Sequence, residues 1–194
     1  MTQPVAPAAE RPGYGRVTKL LHWLMFVALL GQFVVGYAIE RADDLLAWAV
    51  DRWLGGEEEG LLAVHAGIGI VILSLAIVRV IWRRRVGLPP WAPGLSALER
   101  RIAHRVEQIL YGMMFLIPLT GLALVLVSGE DWDLRGGEWQ APYEWVDDDV
   151  LLPAHIATHL TFLAAFAVHV GLVLKHQFID RDRLLSRMLW GGGR

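Results

Sequence analysis

The residues best suited to chemistry in this chain are its seven histidines, because the sequence contains no cysteine. Without thiols there are no disulfides, thiolate zinc sites, iron–sulfur clusters or covalent attachments through a C-x-x-C-H motif. Imidazole is then the main metal ligand that the sequence offers. The positions of the histidines in the predicted helices therefore decide which metal chemistry the chain can support.

Four long apolar runs must position these histidines. The chain has 194 residues, of which 55% are hydrophobic and 20% are charged, and its mean hydropathy is +0.41. The apolar residues are collected into four runs longer than 18 residues, which is typical of membrane-spanning helices. The predicted spans cover about residues 17–39, 61–82, 103–127 and 151–174. The sequence thus predicts an all-α integral membrane protein, a four-helix bundle of up-down-up-down topology embedded in a lipid bilayer.

Shorter segments flank this bundle. Residues 1–13 are rich in Pro and Ala and are predicted to be a disordered tail. Residues 14–178 form the predicted four-helix transmembrane domain, and residues 179–194 a basic cytoplasmic tail long enough for a short amphipathic helix on the membrane surface. Ser96 and Glu99 have the spacing of a capping box that opens the third helix.

The basic residues predict the orientation. Of the 18 Lys and Arg residues, 15 lie in the N-terminal segment, residues 79–105 or the C-terminal segment, whereas the other two connectors hold 15 of the 20 acidic residues. By the positive-inside rule, both termini are predicted to be cytoplasmic and the acidic connectors to face outward.

Four histidines form two pairs at matching predicted depths. His22 lies five residues into the first span and His169 five residues before the end of the fourth; we call these the inner pair. His65 and His155 each lie four residues into their spans and form the outer pair. His155 and His169 are 14 residues apart, which places them within about 40° of one helix face and about 21 Å apart along it. Facing imidazoles at equal depth can ligate a flat metal macrocycle from both sides, as in bis-His haem b.

Small residues beside these pairs either leave space for a large planar group or serve ordinary helix packing. They are Gly36, Ala66, Gly67, Gly69, Ala154 and Gly171.

Four stretches resemble the bacterial cytochrome b561 family of di-haem b membrane proteins, and the similarity extends over about residues 14–190. They are Tyr14-Gly15-Arg16…Leu21-His22-Trp23-Leu24; Val64-His65…Gly69…Val78-Arg79…Trp82-Arg83; Ala103-His104…Tyr111…Ile117-Pro118-Leu119-Thr120-Gly121; and Ala154-His155…Val168-His169…His176-Gln177-Phe178…Leu184-Leu185.

The resemblance implies that two b-type haems (iron protoporphyrin IX) are each held by two histidines, with His22, His65, His155 and His169 as the iron ligands. It also implies a quinone-linked oxidoreductase or electron carrier of the bacterial inner membrane, which passes electrons between an external partner and the quinone pool of a respiratory chain.

The other histidines have competing interpretations. His159 lies one turn from His155 on nearly the same face and is an alternative ligand. His104 matches a family position and either holds a haem propionate, helps to bind quinone or is solvated. His176 lies beyond the apolar run, where an interfacial or propionate-binding role is favoured over iron ligation.

Charged residues near the inner pair complete the candidate site. Arg79 lies within an apolar stretch, so either a haem propionate or the cytoplasmic headgroups must balance its charge. Arg16 and Lys19 are further candidates for binding a propionate. Glu107, beside Gln108, either relays protons to quinone or pairs with a nearby arginine.

The acidic connectors favour a cationic external redox protein over superoxide, because a negatively charged face repels a small anion. A homodimer is consistent with the nine Trp residues, although an interfacial aromatic belt explains them equally well. No nucleic-acid partner is expected. Two other classes of function stay open: a haem b membrane anchor of a larger dehydrogenase or hydrogenase complex, and a haem-free transporter that uses histidine for metal ions or protons.

Overall fold

A computed structural model describes residues 13–41, 58–91, 94–134, 137–182 and 184–189 of the chain. The predictions for residues 1–12, 42–57 and 190–194, which include most of the N-terminal tail and of the first acidic connector, lie outside the described residues.

Four long helices form the bundle: α1 (Arg16–Arg41), α2 (Glu58–Val86), α3 (Ala97–Val127) and α4 (Asp148–Lys175). All four are long and apolar enough to cross a membrane, as predicted for a four-helix membrane bundle. Helix α1 packs along α2, α3 packs along α4, and α2 also contacts α3. The predicted all-α four-helix bundle is therefore confirmed.

Helix ends follow local chemistry. Ser96 and Glu99 form the predicted capping box at the start of α3: the Ser96 hydroxyl accepts from the Glu99 N–H at 3.2 Å, and Glu99 Oε2 accepts from the Ser96 N–H at 2.8 Å. After α2, Gly87 adopts a left-handed φ of +73°, and its N–H donates to the Arg83 carbonyl at 2.9 Å. This ending turns the chain away from the helix axis.

The bundle core lies between the two histidine levels. It is formed by Met25, Ile72, Ala76, Met114, Ile117 and Phe162. Many other large apolar side chains point outward; Val27, for example, is 63% exposed and Ile70 is 59% exposed. In water such a surface would be costly, whereas in a bilayer the lipid chains cover it.

A short hairpin interrupts the connector between α3 and α4. Strand β1 (Asp131–Leu134) pairs antiparallel with β2 (Gly137–Gln140), with Asp131 opposite Gln140. The Trp139 indole donates to the Val125 carbonyl at 3.1 Å, which ties the hairpin to the end of α3. The sequence analysis did not predict these strands.

The C-terminal segment folds back toward α1. A π-helix (His176–Asp180) follows α4 and a 3-10 helix (Leu184–Arg187) comes next, so the described part of this tail contains no amphipathic α-helix. Arg181 is left-handed, with φ 53°, and Asp182 Oδ1 accepts from the Leu184 N–H at 3.0 Å. These features stop α4 from continuing and redirect the chain.

Candidate metal centres

The two histidines of the outer pair lie near the starts of α2 and α4, and each of these helices follows one of the acidic connectors. The ring centroids of His65 and His155 are 6.3 Å apart, and the ring planes are inclined at 81°. The His155 side chain is buried. The structure thus brings together the two side chains that the depth argument paired.

Two glycines provide the space that these rings occupy. A Cβ atom on Gly36 of α1 would lie 2.8 Å from Cε1 of His65, and one on Gly121 of α3 would lie 3.0 Å from Cε1 of His155. Cβ contacts under 3.0 Å, as at Gly36, are essentially absent from proteins, and a contact of 3.0 Å, as at Gly121, is tight enough that the neighbour must shift by a few tenths of an ångström. A side chain at Gly36 would therefore displace the His65 ring, and one at Gly121 would push against the His155 ring.

Thr120 sets the proton position on His155. Its hydroxyl lies 2.8 Å from Nδ1 of His155 and also 2.8 Å from the Leu116 carbonyl. Because a hydroxyl has one hydrogen, donation to the carbonyl leaves its oxygen to accept from an Nδ1–H of His155. Nε2 of His155 then carries the lone pair, which accepts from Nε2 of His159 at 3.1 Å in this structure and could bind a metal once that contact is given up.

His65 has no comparable support. Its Nδ1 atom is buried and has no hydrogen-bond partner within the described parts of the chain. A buried, unsatisfied ring nitrogen is unfavourable, and no hydrogen bond within the described residues fixes the tautomer of this histidine as Thr120 does for His155.

His159 touches the same site. Its Nε2 lies 3.1 Å from Nε2 of His155, and its ring packs edge-on against Phe33 with centroids 5.7 Å apart. Histidines at i and i+4 on one helix face can reach the same metal ion. The structure is therefore compatible with either of these two histidines as a ligand on α4.

The inner pair lies at the other end of the bundle. The His22 and His169 centroids are 6.3 Å apart, with planes inclined at 50°. Nη2 of Arg79 lies 3.0 Å from Nδ1 of His22. Since a guanidinium only donates, Nδ1 accepts, and a neutral His22 ring carries its proton on Nε2 in this arrangement. Coordination through His22 Nε2 thus requires Arg79 to turn away from the ring.

Arg79 belongs to a cationic cluster beside the inner pair. Its guanidinium carbon lies 5.3 Å from the centroid of the Tyr111 ring, and that of Arg83 lies 5.0 Å from the same ring. Arg83 also forms an ion pair with Glu107, which confirms the interpretation that Glu107 pairs with a nearby arginine. The cluster thus places two guanidinium groups, which can pair with carboxylates, on the side of the inner pair where Tyr111 lies.

The remaining predicted residues have other surroundings. The ammonium of Lys19 is buried and donates to the Leu189 carbonyl at 2.7 Å. Arg16 and His104 are exposed. His176 is buried against carboxylates of the C-terminal segment, with Nδ1 at 2.7 Å from Oδ2 of Asp182. The structure thus brings Arg79 against the inner pair, whereas it gives Lys19 and His176 partners in the C-terminal segment.

These observations define a class of protein: a multi-pass membrane bundle with paired imidazoles at two levels of its interior. The family model described as prokaryotic cytochrome b561 matches residues 13–191. The chain belongs to the prokaryotic cytochrome b561 family.

Individual proteins that are similar to this chain carry names consistent with this family. The chain is 28% identical over 192 residues to cytochrome b561 homolog 2 of Escherichia coli, with 91% of this chain and 90% of the relative covered. It is 27% identical over 182 residues to cytochrome b562 of Cereibacter sphaeroides, with 93% and 97% covered. It is 25% identical over 130 residues to the probable superoxide oxidase CybB of Yersinia pestis, with 65% and 73% covered. Family membership implies b-type haem binding and a role in electron transfer at a bacterial membrane.

Sequence reasoning assigned no role to Thr120 or Gly121. Both stand in the stretch Pro118-Leu119-Thr120-Gly121 that carries the family resemblance. The available signal for a role at the outer site was the adjacent hydroxyl and glycine, Thr120 and Gly121, near the predicted depth of His155.

Proposed function

We propose that the chain binds two b-type haems, one between His65 and His155 and one between His22 and His169. In this proposal it passes electrons between an extracytoplasmic redox partner and the quinone pool of the bacterial inner membrane, with both termini cytoplasmic. When bound, b-type haem supplies a reversible one-electron iron couple. The protein's part is to hold the rings, exclude solvent and balance charge.

The observation that carries the proposal is the separation of the imidazoles. A metal–imidazole bond is about 2.0–2.1 Å long, and an atom of a five-membered ring lies about 1.1 Å from the ring centroid. Two imidazoles on opposite sides of one metal ion therefore have centroids about 6.3 Å apart. Both pairs have this separation, 6.3 Å.

The glycines and Thr120 support the outer site. Because Gly36 and Gly121 have no side chains, the rings of His65 and His155 can lie close to α1 and α3. In this proposal a planar group fits between the two rings. Thr120 holds the His155 ring so that Nε2 points away from the hydroxyl. Family membership and this arrangement together favour His155 over His159 as the ligand from α4.

Replacing Thr120 by valine is expected to weaken haem retention at the outer site by about 10–100-fold, the usual cost of losing a group that orients a metal ligand. Haem loss to apomyoglobin measures this. Thr161→Val is the matched control, because the Thr161 hydroxyl donates to the Ala157 carbonyl of its own helix. Equal haem loss from the two variants would contradict the role of Thr120.

At the inner site, Arg79 can pair either with the His22 imidazole or with a haem propionate. It holds Nδ1 of His22 in this structure, and a haem propionate offers its guanidinium a stronger, two-point ion pair. If Arg79 paired with a propionate instead, its guanidinium would leave the imidazole, and His22 would be free to hold iron. Arg79 therefore balances the propionate charge within a span where an unbalanced cation is costly.

Superoxide and a cationic redox protein are the two candidate electron donors outside the membrane, and the charge of the acidic surface discriminates between them. The described residues of the second acidic connector include exposed Glu130, Asp131, Glu144 and Asp149. Such a surface slows the approach of superoxide and attracts a cationic redox protein. The resemblance to a probable superoxide oxidase nevertheless makes superoxide the first donor to test.

Purified protein in nanodiscs, supplied with superoxide and a short-chain quinone, tests the function. We expect superoxide-dependent reduction of the protein, followed by reoxidation by the quinone. The rate constant with superoxide should rise as salt increases, because the Debye length falls from about 30 Å at 0.01 M to about 8 Å at 0.15 M. With a cationic cytochrome c it should fall. A superoxide rate that rises as salt is removed would contradict the repulsion argument, and failure of any quinone to reoxidise the protein would contradict the quinone link.

A further inference from the structure

A second group of potential ligands lies apart from the paired histidines, where the start of α3 meets the end of α4. Its centre is His176, whose side chain is only 1% exposed. Around it stand the carboxylates of Glu99 from α3 and of Asp180 and Asp182 from the C-terminal segment. Ligand atoms of Glu99, His176 and Asp180 all lie within 4.8 Å of one another.

Asp182 fixes the orientation of the His176 ring. Its Oδ2 lies 2.7 Å from Nδ1 of His176 and accepts the Nδ1–H, while Oδ2 of Asp180 lies 3.1 Å from the same nitrogen, so Asp180 would have to turn toward Nε2 to share a metal ion with it. The opposite nitrogen, Nε2, is buried and has no hydrogen-bond partner among the described residues. It faces Oε1 of Glu99 at 3.8 Å, beyond hydrogen-bond reach. A buried ring nitrogen left in this state is unfavourable, and a carboxylate on the other ring nitrogen is the usual support of a metal-binding histidine.

We propose that His176, Glu99 and Asp180 bind a divalent cation of the zinc type, with Asp182 as the positioning residue for His176. One nitrogen and two carboxylate ligands suit Zn²⁺ and neighbouring transition metals better than Mg²⁺, which prefers oxygen. Two ligands about 2.0–2.2 Å from one ion are separated by about 2.9–4.2 Å, according to the angle between them. The 3.8 Å between Nε2 of His176 and Oε1 of Glu99 lies within this range.

Lys175 is the competitor for this site. Its ammonium contacts Oε1 of Glu99 at 2.7 Å and Oδ2 of Asp180 at 2.6 Å, so it bridges two of the proposed ligands. The Lys175 side chain is 40% exposed, and ion pairs so open to solvent contribute little. A divalent cation can therefore displace the ammonium, and removal of Lys175 should improve metal binding. If the cluster were only a structural set of ion pairs, removal of Lys175 would disrupt it and would not improve metal binding.

The bound ion would fasten the C-terminal segment to the bundle. Beyond the cluster, the Met188 carbonyl accepts from the Trp23 indole at 3.1 Å, and the Leu189 carbonyl accepts from Lys19 at 2.7 Å. Trp23 is the neighbour of His22 in α1, and their rings are 5.5 Å apart. Metal occupancy at His176 should therefore protect the C-terminal segment, which covers this face of α1, from proteolysis.

The test is equilibrium dialysis of the purified haem-loaded protein against Zn²⁺, with metal and protein both quantified. Wild type should bind one Zn²⁺ per chain more than His176→Ala. Glu99→Gln, which preserves the capping box, should weaken binding at least tenfold, and Asp182→Asn should weaken it by about 10–100-fold. Lys175→Met should strengthen binding about threefold or more. Zn²⁺ should slow tryptic cleavage after Arg181 in wild type, whereas Mg²⁺ should not.

The acidic run Asp147–Asp149, in which Asp147 and Asp149 are exposed, provides the matched control. The double variant Asp148→Asn/Asp149→Asn, which leaves the cap of α4 at Asp147, should bind Zn²⁺ as wild type does. The proposal is overturned if His176→Ala binds as much Zn²⁺ as wild type, if the control variant loses the ion instead, or if Lys175→Met weakens binding. These outcomes do not depend on how many haems the chain holds.

Discussion

Replacing His65 by alanine is expected to lower the haem content from about two to about one per chain, because the outer site then keeps a single strong axial ligand. This histidine is the more vulnerable member of the outer pair. Its Nδ1 has no hydrogen-bond partner in the described parts of the chain. The residue that its ring faces on α1 is Gly36, which has no side chain. Pyridine haemochrome quantification against protein concentration measures the loss.

His104→Ala is the control for this substitution. His104 is exposed at the start of α3, so its removal should leave the haem content at the wild-type value. A His65→Ala protein that folds, retains both haems and keeps the wild-type spectrum would contradict the outer site. Loss of all haem with retained helical content would indicate that the two sites do not fill independently.

The choice between His155 and His159 gives the second large effect. His155→Ala is expected to lose about one haem per chain, whereas His159→Ala should retain both, although the two imidazoles differ by only one helical turn. His155 is buried, receives support from Thr120 and faces His65 at a centroid distance of 6.3 Å. His159 instead packs its ring edge against Phe33.

These two variants are matched, since each removes one imidazole from the same face of α4. The reverse result, with haem lost from His159→Ala and kept by His155→Ala, would make His159 the ligand. Retention of both haems in each single variant, with loss only in the double variant, would show that the 3.1 Å contact between the two Nε2 atoms lets one histidine replace the other. Either result would contradict the assignment to His155.

The helices and the depth of each histidine were predictable from the sequence. Span limits follow from apolar runs, and depth follows from the rise of 1.5 Å per residue, so His22 and His169 could be paired without knowing how the helices pack. The capping box at Ser96 and Glu99 was predictable for the same reason, because its hydrogen bonds are local.

Features that depend on the rotation of one helix against another were not predictable. Thr120 reaches His155 only because α3 and α4 pack in one register, and depth alone does not define that register. Arg79 was predicted to lie near the inner pair, but its contact with Nδ1 of His22 depends on the side-chain rotamer and was not foreseen. The return of the C-terminal segment depends on tertiary partners, among them Lys19 and Trp23.

The hairpin in the second acidic connector did have a local signal. Two short stretches with Trp, Asp131–Leu134 and Gly137–Gln140, flank the two residues Arg135-Gly136 in the sequence, and a two-residue linker that contains Gly is typical of a tight β-turn. The apolar spans on either side dominated the interpretation of this region, and a two-stranded hairpin is marginal without something to pack on. Here the bond from Trp139 to α3 supplies that support.

Electron paramagnetic resonance of the oxidised protein, quantified against its haemochrome, shows whether each histidine pair holds its own haem. We expect two haems per chain, both low-spin with signals of two imidazole ligands, one lost from His65→Ala and the other from His22→Ala. A single haem, a high-spin iron in the wild type, or loss of the same haem from both variants would contradict it.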